Sequence, residues 1–95
     1  MKRPVIYILS NERNTVLYIG VTSNLIQRVY QHKHKTIRGF SAKYNLTKLV
    51  YFETFDDMDN AITREKRLKQ WHRRWQERLI GEMNPDWRDL YFDII

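Results

Sequence analysis

The chain has 95 residues with 42% hydrophobic content, including three Trp, six Tyr and four Phe, which is enough apolar material for one core and argues against disorder. Chains of roughly 70–80 residues mark the size below which a single core seldom suffices, so one domain spanning residues 1–95 is expected. The absence of cysteine excludes disulfides, thiolate zinc sites and cysteine nucleophiles, while a net charge of +6 suits a polyanionic partner, nucleic acid being the commonest, or serves solubility alone.

Met1-Lys2-Arg3-Pro4 leads into a short apolar run without a small-residue cleavage site, so no signal peptide is expected. No stretch approaches the roughly 20 apolar residues of a membrane helix. The expected compartment is the cytoplasm.

Val5-Ile6-Tyr7-Ile8-Leu9 and Val16-Leu17-Tyr18-Ile19 are β-branched, apolar runs separated by the polar segment Ser10-Asn11-Glu12-Arg13-Asn14, which predicts a β-hairpin ended by Gly20. Thr22-Ser23-Asn24 offers capping groups for a helix in which Leu25, Ile26, Val29 and Lys33 fall at helical spacing, up to about residue 35. Residues 36–42 read as a loop around Gly39, with a helical turn over Ser41 to Asn45, before a third strand from Lys48 to Phe55. Asp56 and Asp57 cap a long basic helix from Met58 to Gln70, and a further helical pattern runs from Trp71 to Met83 with a break near His72. The tail from Trp87 to Ile95 is too apolar to stay in water and should dock on the domain. This ββαβαα order predicts an α/β (α+β) fold with a small central three-stranded antiparallel sheet flanked by helices.

Glu65 conflicts with a purely structural pattern. At about 100° per residue, Met58, Ala61, Ile62 and Leu68 form an apolar stripe, and Glu65 falls within it. An unpartnered buried carboxylate costs several kcal/mol, so this position implies a cation, a metal ion or a cleft, or else a buried salt bridge to an arginine. Arg28 and His32 lie four residues apart on one face of the first helix, at the edge of its apolar stripe. Arg28 there either snorkels over the core or presents a guanidinium to a phosphate, and His32 is either a satisfied core group or a site residue. Tyr7 and Tyr18 read as strand packing residues or as two phenols facing a shared cleft. A phenol, with a pKa of about 10, acts as a base only where a cation favours the phenolate.

The run from Arg64 to Trp75 is basic with interleaved aromatics, so Arg64, Lys66, Arg67, Lys69, Arg73 and Arg74 are candidate nucleic-acid contacts, or a solvated face. Trp71, Trp75 and Leu79 recur every four residues and read as core. Three glycines are too few for a phosphate-cradling loop, no serine occupies a nucleophile elbow, and His32 and His34 are two apart, which prevents them sharing a zinc from one helix.

Taken together, Val5-Ile6-Tyr7, then Tyr18-Ile19-Gly20, Arg28 ten residues after Tyr18, and Glu65 on the next long helix resemble the GIY-YIG nuclease superfamily over nearly the whole chain. The likeness is to small stand-alone members similar to the N-terminal nuclease domain of the bacterial excision-repair endonuclease subunit, whose chains also end in an Asn-Pro-x-Trp segment, here Asn84-Pro85-Asp86-Trp87. The resemblance implies a metal-dependent endonuclease acting on DNA, structure-specific and linked to repair or recombination, with Tyr7, Tyr18, Arg28, His32 and Glu65 as catalytic residues. By it, Gly20 leaves room for close approach, Arg28 holds the scissile phosphate, His32 assists there, Asn84 matches a late asparagine, and Glu65 is the sole protein ligand of one Mg2+ or Mn2+. Val5 stands where the first motif carries glycine, and Val21 where some members carry a basic residue, so either Tyr7 or Tyr18 could be the general base. The alternatives are a non-catalytic nucleic-acid-binding module and a catalytic subunit inactive without a protein partner. Family members often append a DNA-binding domain, for which this chain has no room, so a partner or substrate shape would supply selectivity.

Overall fold

The computed structural model describes residues 2–95. Three strands, β1 (Val5–Ser10), β2 (Leu17–Thr22) and β3 (Lys48–Thr54), form an antiparallel sheet in the order β2-β1-β3. The helices are α1 (Leu25–Lys33), α2 (Phe40–Lys43), α3 (Met58–Gln70), α4 (Arg73–Met83) and α5 (Tyr91–Ile94). Every residue of β1 is buried because it lies between the other two strands and is covered on both faces. Val5, Tyr7 and Leu9 point into a core shared with Leu25 and Val29 of α1 and with Leu90. Ile6 and Ile8 point into a second core with Ala61 and Leu68 of α3 and Ile80 of α4. Strand alternation thus sends Tyr7 to the α1 side and its neighbours to the α3 side.

Helix termini follow the predicted capping chemistry. The Asn24 side chain accepts the Gln27 N–H at the start of α1, and Asp57 accepts the Asn60 N–H at the start of α3. The first helix ends at Lys33, earlier than the spacing predicts, because Lys35 adopts a left-handed conformation (φ 54°) and the chain closes through Lys35 N–H to the His32 carbonyl and Thr36 N–H to the Gln31 carbonyl. Conversely, Gly20 does not end β2. The strand continues through Val21 and Thr22, with Gly20 paired opposite Tyr7.

Trp75 is 51% exposed, contrary to its reading as core. Trp71 lies in the break between α3 and α4, so the four-residue recurrence of Trp71, Trp75 and Leu79 spans two helices and defines no single stripe. Trp71 and Leu79 pack against the second core as read, and the three residues, with Arg78 and Glu82, also line an open surface cleft.

The C-terminal tail docks as its apolarity predicts. Leu90 N–H donates to the Leu49 carbonyl at 2.7 Å, and the Asp89 carboxylate accepts the Leu49 N–H at 3.1 Å, so the tail covers the outer edge of β3. Lys33 pairs with the same Asp89. A one-residue bulge leaves Val50 without a partner on β1. Its carbonyl accepts Asn84 Nδ2 at 3.2 Å, while Asn84 also exchanges hydrogen bonds with the backbone of Arg88 at 2.8 and 3.0 Å. This clamp holds Trp87 in a left-handed conformation (φ 53°). With one sheet edge covered, the free edge is β2. Among the described residues, no helix is long and apolar enough to cross a membrane.

Asn84 is buried and carries three hydrogen bonds, so Asn84→Ala should lower unfolding free energy by about 1–3 kcal/mol, since it strands the polar groups it now satisfies. Urea unfolding followed by circular dichroism checks this, and an unchanged midpoint would contradict the clamp.

Candidate active site

At the β1–β2 ladder, Tyr7 stands opposite Gly20. A β-carbon at position 20 would lie 2.5 Å from both Cζ and the hydroxyl oxygen of Tyr7, so glycine is required by the phenol ring lying over it. That ring therefore crosses β2 toward the free edge of the sheet. Its hydroxyl meets His32 Nε2 at 3.1 Å, and His32 Nδ1 meets Ser41 Oγ at 2.8 Å. Tyr7, His32 and Ser41 are all buried, with exposures of 0%, 3% and 6%. Such a chain persists in a core because every polar atom in it has a partner.

Burial first, and then the charge of Arg28, lowers the His32 pKa from 6.5 to about 4, so the imidazole is neutral near pH 7. One ring nitrogen then donates and the other accepts. Burial, reinforced by Tyr18, pushes the Tyr7 phenol well above the ordinary tyrosine range against the opposing pull of Arg28, so Tyr7 keeps its proton.

Arg28 sits one turn before His32 on α1 and is half-buried. Its charge acts on both Tyr7 and His32, yet among the described residues it pairs with no carboxylate. A guanidinium held beside a buried neutral network without an internal counter-ion is available to an external anion, and its planar fork suits phosphate oxygens.

Tyr18 lies on the same face, its ring centroid 6.2 Å from that of Tyr7 and 5.6 Å from that of His32. Unlike Tyr7 it is partly exposed, and it shares an open cleft of about 250 Å³ with Leu17, Ile19, Lys69 and Gln76. Lys69 Nζ is 3.0 Å from Glu65, whose side chain is only 14% exposed. Glu65 thus resides on the apolar side of α3 as its spacing predicts, with a lysine one turn on as its cation in place of an arginine. Among the described residues it makes no hydrogen bond or ion pair to Tyr7, Tyr18, Arg28 or His32. It lies on α3, which packs on the other face of the sheet, and its partner Lys69 lines the cleft that holds Tyr18.

The fit to a metal follows from this donor set. No group of three or more His, Asp or Glu side chains that could enclose an ion occurs among the described residues. A single shielded carboxylate, balanced by an ammonium that is half exposed, suits Mg2+ or Mn2+ completed by water and phosphate oxygens, and does not suit an all-protein cage.

The basic run divides by partner. Arg64 is held by Glu53 through three contacts of 2.9–3.3 Å and lies 5.2 Å from the Trp71 ring centroid. Arg73 donates to the carbonyls of Asn14 and Thr15 and pairs with Glu77, which ties α4 to the hairpin turn. Lys66, Arg67 and Arg74 are exposed and have no carboxylate partner among the described residues. Asn84 lies away from this cluster, in the tail clamp. Sequence reasoning missed Ser41 and Phe40, whose ring stacks on Tyr18 at 6.5 Å. Both sit on the short α2, and no periodicity marks them.

A model of the GIY-YIG catalytic domain matches residues 3–78. A UPF0213 protein of Pediococcus pentosaceus is 41% identical over 68 residues, covering 67% of this chain and 66% of its own length. One of Natronomonas pharaonis is 36% identical over 81 residues, covering 81% and 89%. The solution structure of a UPF0213 protein from Bacillus halodurans superposes with a TM-score of 0.58 over 90% of each chain, at 22% identity, which is a likeness of fold.

Because the folded state depresses the His32 pKa, the unfolded chain binds more protons between about 6.5 and about 4. The contribution of His32 is therefore present above pH 6.5 and is lost as pH falls toward 4. Denaturant midpoints across this range should fall more steeply for the native chain than for His32→Gln, and an NMR titration should show His32 still neutral at pH 5.5. A histidine that titrates near 6.5 would contradict the buried network.

Proposed function

The chain belongs to the GIY-YIG family, and on that premise we propose that it is a metal-dependent endonuclease that hydrolyses DNA phosphodiester bonds at the free edge of β2. The observation that carries this reading is Arg28, without a carboxylate partner beside the buried Tyr7–His32 pair. In this reading Arg28 binds a non-bridging oxygen of the scissile phosphate and stabilises the charge that grows there. Tyr18, the phenol that reaches solvent, takes the proton of the attacking water. A phenol does so as its phenolate, which cations favour, and Lys69 lines the same cleft. Tyr7 holds its own proton and positions His32, and His32, with both ring nitrogens engaged, fixes the turn of α1 that carries Arg28.

Glu65 would hold the divalent cation, which when bound supplies Lewis-acid stabilisation of the phosphate and leaving oxygen. Lys66, Arg67 and Arg74, exposed and unpaired, would contact the DNA backbone, and Lys69 would turn to it once released from Glu65. The ion pair between Lys69 and Glu65 favours a second reading, in which the chain is silent until substrate or a protein partner draws Lys69 away. The resemblance to the excision-repair nuclease domain points to structure-specific cutting in repair or recombination, and the cysteine-free sequence suits the cytoplasm.

Incubation with single-stranded, duplex, flapped and branched DNA in Mg2+ or Mn2+ tests the reading. Arg28→Ala and Glu65→Gln should each reduce cleavage by on the order of 100-fold or more while the circular dichroism spectrum is unchanged. Tyr18→Phe should lose more activity than Tyr7→Phe. Cutting retained in either of the first two variants would overturn the site.

A further inference from the structure

Beyond Tyr18, the aromatic surface continues outward. Phe40 stacks on the Tyr18 ring with centroids 6.5 Å apart and planes 28° from parallel, and Tyr44 follows with its centroid 4.7 Å from that of Phe40. Phe40 is 49% exposed and Tyr44 40% exposed, and neither joins a buried core cluster. Apolar side chains scattered singly over a surface need no explanation, but a row of rings that starts in an active-site cleft is not scattered. Gly39 adopts φ 113°, a conformation side chains rarely tolerate, and thereby turns the chain into α2 just before Phe40.

The charged residues on the segment that carries this row are basic, while Glu12 and Arg13 of the hairpin turn share a cleft with Tyr44. Lys35, Arg38 and Lys43 are exposed on the segment that carries Phe40 and Tyr44, and none has a carboxylate partner among the described residues. Rings flanked by cations without carboxylate partners, Lys43 Nζ itself lying 5.4 Å from the Tyr44 ring centroid, match a ligand with flat apolar faces joined by anionic links. Bases inside a duplex are covered on both faces by their neighbours, whereas an unpaired base offers a free face to an aromatic side chain.

We propose that Phe40 and Tyr44 form a stacking platform for unpaired nucleobases of the strand being cut, continuous with Tyr18 and flanked by Lys35, Arg38 and Lys43. This rests on the endonuclease reading and narrows its substrate to DNA that is single-stranded beside the scissile phosphate. Duplex DNA meets the same cations but leaves the rings unused.

The test separates binding from cutting. The full chain carrying Glu65→Gln, without divalent cation, is titrated with a single-stranded oligonucleotide containing 2-aminopurine and with the corresponding duplex. The single strand should bind about tenfold more tightly than the duplex, with quenching of its fluorescence as the base stacks. Phe40→Leu, which keeps apolar volume but removes the ring, should weaken single-strand binding by about tenfold, leave duplex binding within about twofold and leave the salt dependence unchanged. Phe40→Trp should restore it. Tyr44→Leu, farther from Tyr18, should weaken single-strand binding in the same sense, and it serves if Phe40→Leu alters the circular dichroism spectrum. Equal affinity for the two forms, or unchanged single-strand binding in both leucine variants, would overturn the platform even if the native chain cuts DNA. Ring-dependent single-strand binding in a chain that cuts nothing would support the platform and leave the nuclease reading to its partner-dependent form.

Discussion

Tyr7 lies across Gly20, and the positions of the other site residues follow from that contact. The ring fits there because one strand contributes no side chain where the other contributes the largest fully buried one, and a β-carbon at Gly20 would come within 2.5 Å of it. Laid flat over β2, the phenol places its hydroxyl where the last turn of α1 passes, so His32 can meet it, and Ser41 then meets His32 from α2. Three separate elements, β1, α1 and α2, are thus registered by one chain of two hydrogen bonds. Each is worth only about 1 kcal/mol net, but leaving any member unpaired in the core costs more than the bond provides, which makes the arrangement all-or-none.

Charge is distributed accordingly. The centre of the site is neutral, with a phenol that keeps its proton, an imidazole held uncharged and a serine, while Arg28 stands beside it and Lys69, paired with Glu65, lines the cleft that holds Tyr18. Burying an unpaired charge costs several kcal/mol, which accounts for the half-buried position of Arg28 at the rim of a frame built from uncharged groups. The sheet's two edges divide in the same way. Asp89 and Leu90 cover β3, whereas β2 stays open and carries Tyr18.

Much of this was legible in the sequence wherever a local period governs. The alternating faces of β1, the caps at Asn24 and Asp57, and the carboxylate of Glu65 among apolar neighbours all follow from two- or 3.6-residue repeats. The resemblance, which rests on ordered motifs spread along the chain, matches the family the chain belongs to. What stayed hidden depends on geometry between elements. Glu65 takes Lys69 where an arginine was one option, because a helix offers its own side chain one turn on at no cost in loop closure. Trp75 was misread as core because a spacing argument assumes a continuous helix, and the break at Trp71 and His72 interrupts it. Ser41 and Phe40 carry no periodic signature, as α2 has only four residues.

The arginines show why composition alone could not decide between a solubilising surface and a binding one. Arg64, Arg73 and Arg88 each have carboxylate partners, and the first two also brace packed elements. Their charge is balanced within the fold and adds little to the field a polyanion meets. Among the described residues Arg28, Arg67 and Arg74 have no such balance, so the net charge of +6 is expressed unevenly over the surface. An exposed arginine on the run from 64 to 75 is well solvated and loses little by remaining unpaired. Arg28 is half-buried against neutral groups and, among the described residues, has given up part of its hydration without a carboxylate partner, so a phosphate arriving there would have less water to displace than at a fully exposed cation. That difference in desolvation, set by the position of α1 against the Tyr7–His32 pair, is what the proposed phosphate-binding role of Arg28 draws on and what the exposed arginines lack.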